Sequence, residues 1–181
     1  YGDHRDLHSF PPRRSSDLEM HHFPNLGPLL HLSAPEISWL TSLYQTDFQA
    51  FLLYLTAHKD ATTPALVERT ASIKRFLKAG VLLSSYHDRE LLNKYTKAEL
   101  LDFAALCDLS SKPKSSMKKA DLIEWILASA PQVVSLCRKK YVFVHLSPDF
   151  ASATTLCLAL QSTAKSSKMT LPQVYAYLAL L

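Results

Sequence analysis

The chain has 181 residues, 48% of them hydrophobic, and a formal net charge of +4, a composition that suits one globular domain or two small ones. Three glycines leave little material for a phosphate-cradling loop, and no apolar run reaches the roughly eighteen residues that a transmembrane helix needs. Cys107, Cys137 and Cys157 are odd in number and far apart. That spacing argues against a disulfide framework or a Cys-x-x-Cys metal clip and points to a reducing compartment, cytoplasmic, or nuclear in a eukaryote.

The first segment, YGDHRDLHSFPPRRSSDL from Tyr1 to Leu18, resembles the translation of a short-read sequencing adapter, YGDHRDLHSFPTRRSSDL. Only Pro12 differs. Tyr1–Leu18 is therefore expected to be non-native and disordered, with the protein's own sequence starting at about Glu19, and it is set aside before fold reasoning. Asp3, His4 and His8 then drop out as metal ligands, and Arg13, Arg14 and Ser15 as a basic targeting or phosphorylation motif.

From Glu19 to Leu32 the chain has no clear period and is expected to be a loop. Ser33-Ala-Pro-Glu36 predicts a helix start, with Ser33 as N-cap, Pro35 in the first turn and Glu36 closing a capping box. Ile37, Leu40, Tyr44, Phe48, Phe51, Leu52 and Leu55 recur at helical spacing, so one long buried helix is expected from Ser33 to Ala57. Thr63 and Pro64 predict a second helix carrying Leu66, Val67, Ile73, Phe76 and Leu77, which Gly80 terminates. Val81-Leu82-Leu83 reads as a short strand. Helix, helix, glycine, strand is also the order at the end of a winged-helix unit.

Glu90–Asn93 predicts a helical turn, and Thr96-Lys-Ala-Glu99 a second capping box ahead of Leu100, Phe103, Ala104 and Cys107. Asp108–Ser116 is a loop by composition, and helix resumes from Met117 to about Ala128 with Leu122, Ile123 and Ile126 inward. Val133–Cys137 is expected to be helical and Tyr141–His145 to be a strand. Ser147-Pro-Asp149 opens a helix with Leu156, Leu158 and Leu160. Thr170-Leu-Pro172 opens a last one, and the closing Ala-Tyr-Leu-Ala-Leu-Leu reads as a reading frame clipped within that helix.

The basic excess sits in the middle of the chain. Residues 91–140 carry nine Lys or Arg against five acids, whereas residues 19–90 carry six against seven. Lys94, Lys97, Lys112, Lys114, Lys118 and Lys119 fall around two predicted helix starts and the loop between them. Helix N-termini favour anions, and lysines beside them suit phosphate oxygens, giving salt-dependent binding with little base readout. No base-reading arginine or exposed aromatic stacking pair is evident.

The stretch LLNKYTKAELLDFAALCDLSSKPKSSMKKADLIEWIL, residues 91–127, resembles a SAP domain, a helix–loop–helix module that binds DNA. Leu100 stands at the family's early leucine and Leu109 at the leucine ending the first helix. Lys119-Ala-Asp-Leu122 stands where the family has Lys-Ala-Glu-Leu. Met117 replaces the usual glycine, the loop is longer, and Trp125 stands where arginine is frequent. With SIKRFLKAGVLLSS ahead of it, the layout is similar to the region before the catalytic module of the Fanconi-associated VRR-NUC nucleases. That resemblance implies a nuclease parent whose catalytic acids lie outside this sequence.

Catalytic patterns are weak. His21-His22 has no further ligand nearby, and His31, His58, His87 and His145 lack zinc-site spacing. Asp149 after Pro148 lacks the second acid and lysine of a PD-type nuclease, and Ser84-Ser85 and Ser166-Ser167 lack a glycine elbow. The expectation is a mostly α fold of small helical domains with one or two short strands. It divides into 19–90, 91–130 and 131–181, the middle part SAP-like. The chain reads as non-catalytic, with DNA as partner through its phosphates and neither cofactor, metal nor membrane implied. The alternative is a helical protein-interaction or scaffold domain.

Overall fold

A computed structural model describes residues 31–58, 60 and 63–166. Tyr1–Leu18, the lead-in from Glu19, His21-His22 and the helix expected after Thr170 lie outside the described residues. The fold is mostly helical with one small antiparallel sheet. In chain order the elements are α1 (Ala34–Thr41), α2 (Gln45–Ala57), β1 (Ala65–Glu68), α3 (Ala71–Ala79) and β2 (Leu82–Ser85). Then come α4 (Asp88–Asn93), α5 (Lys97–Leu106), α6 (Lys119–Ser129), α7 (Pro131–Cys137), β3 (Tyr141–Leu146) and, after a 3-10 turn at Pro148–Phe150, α8 (Ala151–Ser166). Among the described residues no single helix is long and apolar enough to cross a membrane.

These elements form two compact units: residues 60–147, and the segment before residue 60 together with the segment after residue 147. The division into 19–90, 91–130 and 131–181 is thus not the one that packing makes. In the 60–147 unit β3 is the middle strand, antiparallel to β1 on one side and β2 on the other. Ala65 faces Val144 and Glu68 faces Tyr141, while Leu82 faces Leu146 and Ser85 faces Phe143. Val142, Val144 and Leu146 are buried on one face of β3. Tyr141 and Phe143, on the other face, pack against the cluster formed by α4–α7.

Two expected helices are corrected. Thr63-Pro64 does not open a helix. Residues 65–68 are a strand, because their backbone groups pair with β3 across a long sequence separation that a local pattern does not register. The helix starts later, where the Thr70 hydroxyl accepts from the Ile73 N–H at 3.2 Å. It ends at Gly80, whose φ of 80° is the left-handed conformation that glycine adopts without strain. A winged helix is not built either, since the strand after Gly80 pairs with β3, beyond four further helices. The sheet therefore has three strands, one more than the sequence predicts.

The other correction is a break in the first long helix. The Thr41 hydroxyl bonds back to the carbonyls of Ile37 (2.8 Å) and Ser38 (3.2 Å), and the Ser42 hydroxyl to that of Trp39 (3.1 Å). Such back-bonding competes with helix propagation, and a new helix begins after Tyr44. The two segments do not share one stripe. Phe48, Phe51, Leu52 and Leu55 are buried, but Ile37 and Tyr44 are exposed, as is Leu158 on α8.

Within this second unit Glu36 is a buried carboxylate serving two helices. Its Oε1 accepts from the Ser33 N–H at 3.0 Å, closing the predicted capping box on α1. Its Oε2 accepts from the Ala153 N–H at 2.5 Å, in the first turn of α8. Both helix N-termini carry partial positive charge and unpaired N–H groups, so one anion satisfies both. Trp39 packs edge-on against Phe51 and Phe150 at 5.0 and 5.8 Å beside it. Glu36→Ala is expected to lower unfolding free energy by about 2–4 kcal/mol, read as a lower denaturant midpoint. A midpoint matching the parent's refutes the double cap.

Candidate nucleic-acid interface

The helix–loop–helix of residues 96–129 is built from local signals that its own side chains satisfy. Thr96 caps α5: its hydroxyl accepts from the Glu99 N–H at 3.1 Å, and the Glu99 carboxylate accepts from the Thr96 N–H at 2.9 Å. That bond to the Thr96 backbone, with the bond to its hydroxyl, holds the Glu99 carboxyl below its usual range. Leu100 and Ala104 face inward, joining Leu122, Ile123 and Ile126 of α6 and Leu91 and Leu92 of α4 in one cluster. Leu109 reaches back from the loop to pack on that cluster. A turn closed by the Met117 N–H on the Lys114 carbonyl (3.1 Å) leads into α6.

Tyr95 anchors the cluster from below the loop. Its buried hydroxyl donates to the Cys137 carbonyl at 2.9 Å, and its ring meets Phe103 and Tyr141 edge-on at 5.3 and 5.6 Å. Burial raises its pKa above the usual tyrosine range. Burial in this cluster pushes the Cys137 thiol up to about 12, and burial within the other unit does the same to Cys157, so both stay neutral and are poor nucleophiles.

The six predicted lysines are not equivalent. The Lys97 Nζ donates to the Ser115 carbonyl at 2.7 Å and ties α5 to the loop. The Lys119 Nζ donates to the Asn93 carbonyl at 2.9 Å and ties α6 to the end of α4. Lys94 lies 5.6 Å over the Tyr141 ring, with Lys140 5.4 Å from the same ring. Lys112, Lys114 and Lys118 are exposed, and their side-chain ammonium groups make no hydrogen bond or ion pair to another described residue. Lys118 is the N-cap of α6 and offers no capping acceptor. No side chain caps the first turn of α6, which also carries Asp121, and Lys112, Lys114 and Lys118 stand exposed in the chain leading into it; lysines near a helix start suit an anion.

A second polar cluster in this unit was not legible in the sequence. Arg138, just ahead of β3, makes a bidentate pair with Asp88 at the start of α4, its Nη2 lying 2.7 and 2.8 Å from the two carboxylate oxygens. Its guanidinium stacks 4.3 Å over the ring of Tyr86, which is 70% exposed. The Arg69 Nε donates to the Arg138 carbonyl at 2.6 Å. His87 meets Phe143 edge-on at 5.0 Å, and the buried Ser85 Oγ has no hydrogen-bond partner. Nothing in their spacing links these residues.

Of the remaining candidates, His145 lies on β3 with a buried, unpartnered Nδ1, and Asp149 sits in the 3-10 turn ahead of α8. Among the described residues no three His, Cys, Asp or Glu side chains converge on a metal-sized site. No family model, curated protein or solved structure matches this chain.

The lysine inventory separates by stability. Lys97→Ala and Lys119→Ala are each expected to lower unfolding free energy by about 0.5–1 kcal/mol, while Lys112→Ala, Lys114→Ala and Lys118→Ala stay within about 0.5 kcal/mol of the parent. Denaturant titrations decide between this split and six equal surface charges. A carboxyl held low in the folded state stabilises above its ordinary pKa, and that share is lost as pH falls through the lowered value. Glu99→Gln is accordingly expected to flatten the acid limb of the stability–pH curve, and a limb as steep as the parent's refutes this.

Proposed function

We propose that the helix–loop–helix of residues 96–129 is a SAP-like module that holds DNA by its phosphate backbone. The supporting observation is that Lys112, Lys114 and Lys118, exposed and with unpaired side chains, lie in the segment that leads into the uncapped start of α6. Lysines of this kind meet phosphates as point charges, so binding is salt-dependent and nearly indifferent to sequence. Lys97, Lys119 and Lys94 support the same surface indirectly, by fixing the loop and the helices that carry the free cations. In this reading the chain is the non-catalytic, DNA-holding part of a DNA-processing protein, and the VRR-NUC layout makes a nuclease the parent to look for.

A second reading, a helical interaction domain, draws on Leu53, 71% exposed on α2. Apolar side chains scattered singly over a surface are ordinary, so the charge-based reading is preferred.

The test is equilibrium binding to a blunt duplex of arbitrary sequence at two salt concentrations, about 50 and 200 mM. The Lys112→Ala, Lys114→Ala, Lys118→Ala triple variant is expected to bind at least tenfold more weakly at low salt. Its log–log salt slope should shrink by roughly 0.9 for each phosphate that is no longer neutralised. Because these side chains bear no structural load, the variant remains folded. Parent-like affinity and slope in a folded variant refute the proposal.

A further inference from the structure

The Tyr86–Arg138 pair stands on different residues from the lysine loop and does not rest on it. Tyr86 follows β2 and is 70% exposed although its ring carries a guanidinium 4.3 Å away on one face. Arg138 is not free to move. Asp88 grips it at 2.7 and 2.8 Å, and its backbone carbonyl is held by Arg69 at 2.6 Å. The ring is therefore backed by a planar, immobilised cation, and its other face opens to solvent.

A second arginine borders the cleft that this ring lines. Arg69 spends only its Nε on the Arg138 carbonyl, and its two terminal nitrogens have no partner among the described residues. Both Arg69 and Tyr86 border the same small cleft at the end of the sheet, along with Ser85, whose buried Oγ is unsatisfied. Lys140 lies over Tyr141, another residue of that cleft. Asp88 neutralises only Arg138.

We infer that this edge of the 60–147 unit is a nucleobase platform for single-stranded nucleic acid: an unpaired base stacks on the open face of Tyr86 while an adjoining phosphate meets Arg69. A flat aromatic surface backed by arginine, with unpaired cations beside it, is the combination by which unpaired strands are held without sequence preference. In a duplex the bases are stacked on one another and do not present that face. An acidic peptide uses the cations but gains nothing from the ring. The partner is thus an unpaired strand.

The experiment measures binding of a fluorescent oligothymidylate of about twelve nucleotides to the full chain. A blunt duplex and an abasic oligonucleotide of equal length serve as comparisons. Tyr86→Ala is expected to weaken oligothymidylate binding roughly tenfold and to leave duplex binding unchanged, while Tyr86→Phe keeps the parent's affinity for both. Arg69→Gln weakens oligothymidylate binding and reduces its salt slope. The triple lysine variant retains the Tyr86 dependence even where its duplex binding is abolished, so the two proposals fail separately. Parent-like binding of oligothymidylate by Tyr86→Ala overturns the inference. So does an abasic strand bound as tightly as the oligothymidylate, or equal competition by polyglutamate.

Discussion

The 60–147 unit depends on the middle position of β3. A four-residue strand such as β1 or β2 has too few backbone bonds to persist alone. Each is held because β3 satisfies its N–H and C=O groups from one side. Since four helices separate β2 from β3 and five separate β1 from β3, both pairings require the intervening chain to return to the sheet. The bond from the Arg69 N–H to the Lys140 carbonyl (2.8 Å), and from the Tyr95 hydroxyl to the Cys137 carbonyl, fix the point of return. The register then determines the polar cluster. With Ser85 opposite Phe143, the residues leaving β2 meet the residues entering β3, and Tyr86 and Asp88 come to lie against Arg138.

The lysines show how a cluster in sequence divides by energy in space. A lysine that donates to a carbonyl gives up side-chain freedom for one charge-assisted bond, and its value is structural. An exposed lysine keeps its freedom and its hydration, and its charge is available to an incoming anion. Lys97 and Lys119 are of the first kind and Lys112, Lys114 and Lys118 of the second, although all five read alike in the sequence. The proposed DNA surface is accordingly smaller than composition implies, and better supported from beneath.

Several local signals whose partners lie within one helical turn were legible in the sequence, although the Thr41 and Ser42 back-bonds and the Thr70 cap were not. Both capping boxes, at Ser33 and Thr96, and the left-handed terminus at Gly80 form as their residue types predict. The inward positions Leu100, Leu122, Ile123 and Ile126 are buried as their spacing predicts. The rest of what was not legible has a partner far along the chain. Residues 65–68 carry no alternation long enough to announce a strand, and their pairing with β3 overrides the helical reading. The second cap of Glu36, on Ala153, is invisible from the first. Tyr86, Asp88 and Arg138 form one cluster only because two strands meet; no local pattern joins them.

The Asp88–Arg138 pair also clarifies what the exposed tyrosine is for. A surface ion pair contributes little to stability, and this one is about one-third exposed on both sides. Its effect is on geometry. A bidentate carboxylate fixes the plane of a guanidinium, and the fixed guanidinium in turn sets the tyrosine ring that it covers. By neutralising Arg138, Asp88 also leaves it a stacking surface rather than a competitor for anions, and attraction passes to Arg69 and Lys140 at the same edge. The backing of the ring and the charge beside it are separate properties supplied by separate residues. A ring so held loses little conformational freedom when a planar group stacks on it. An isolated exposed tyrosine lacks that advantage.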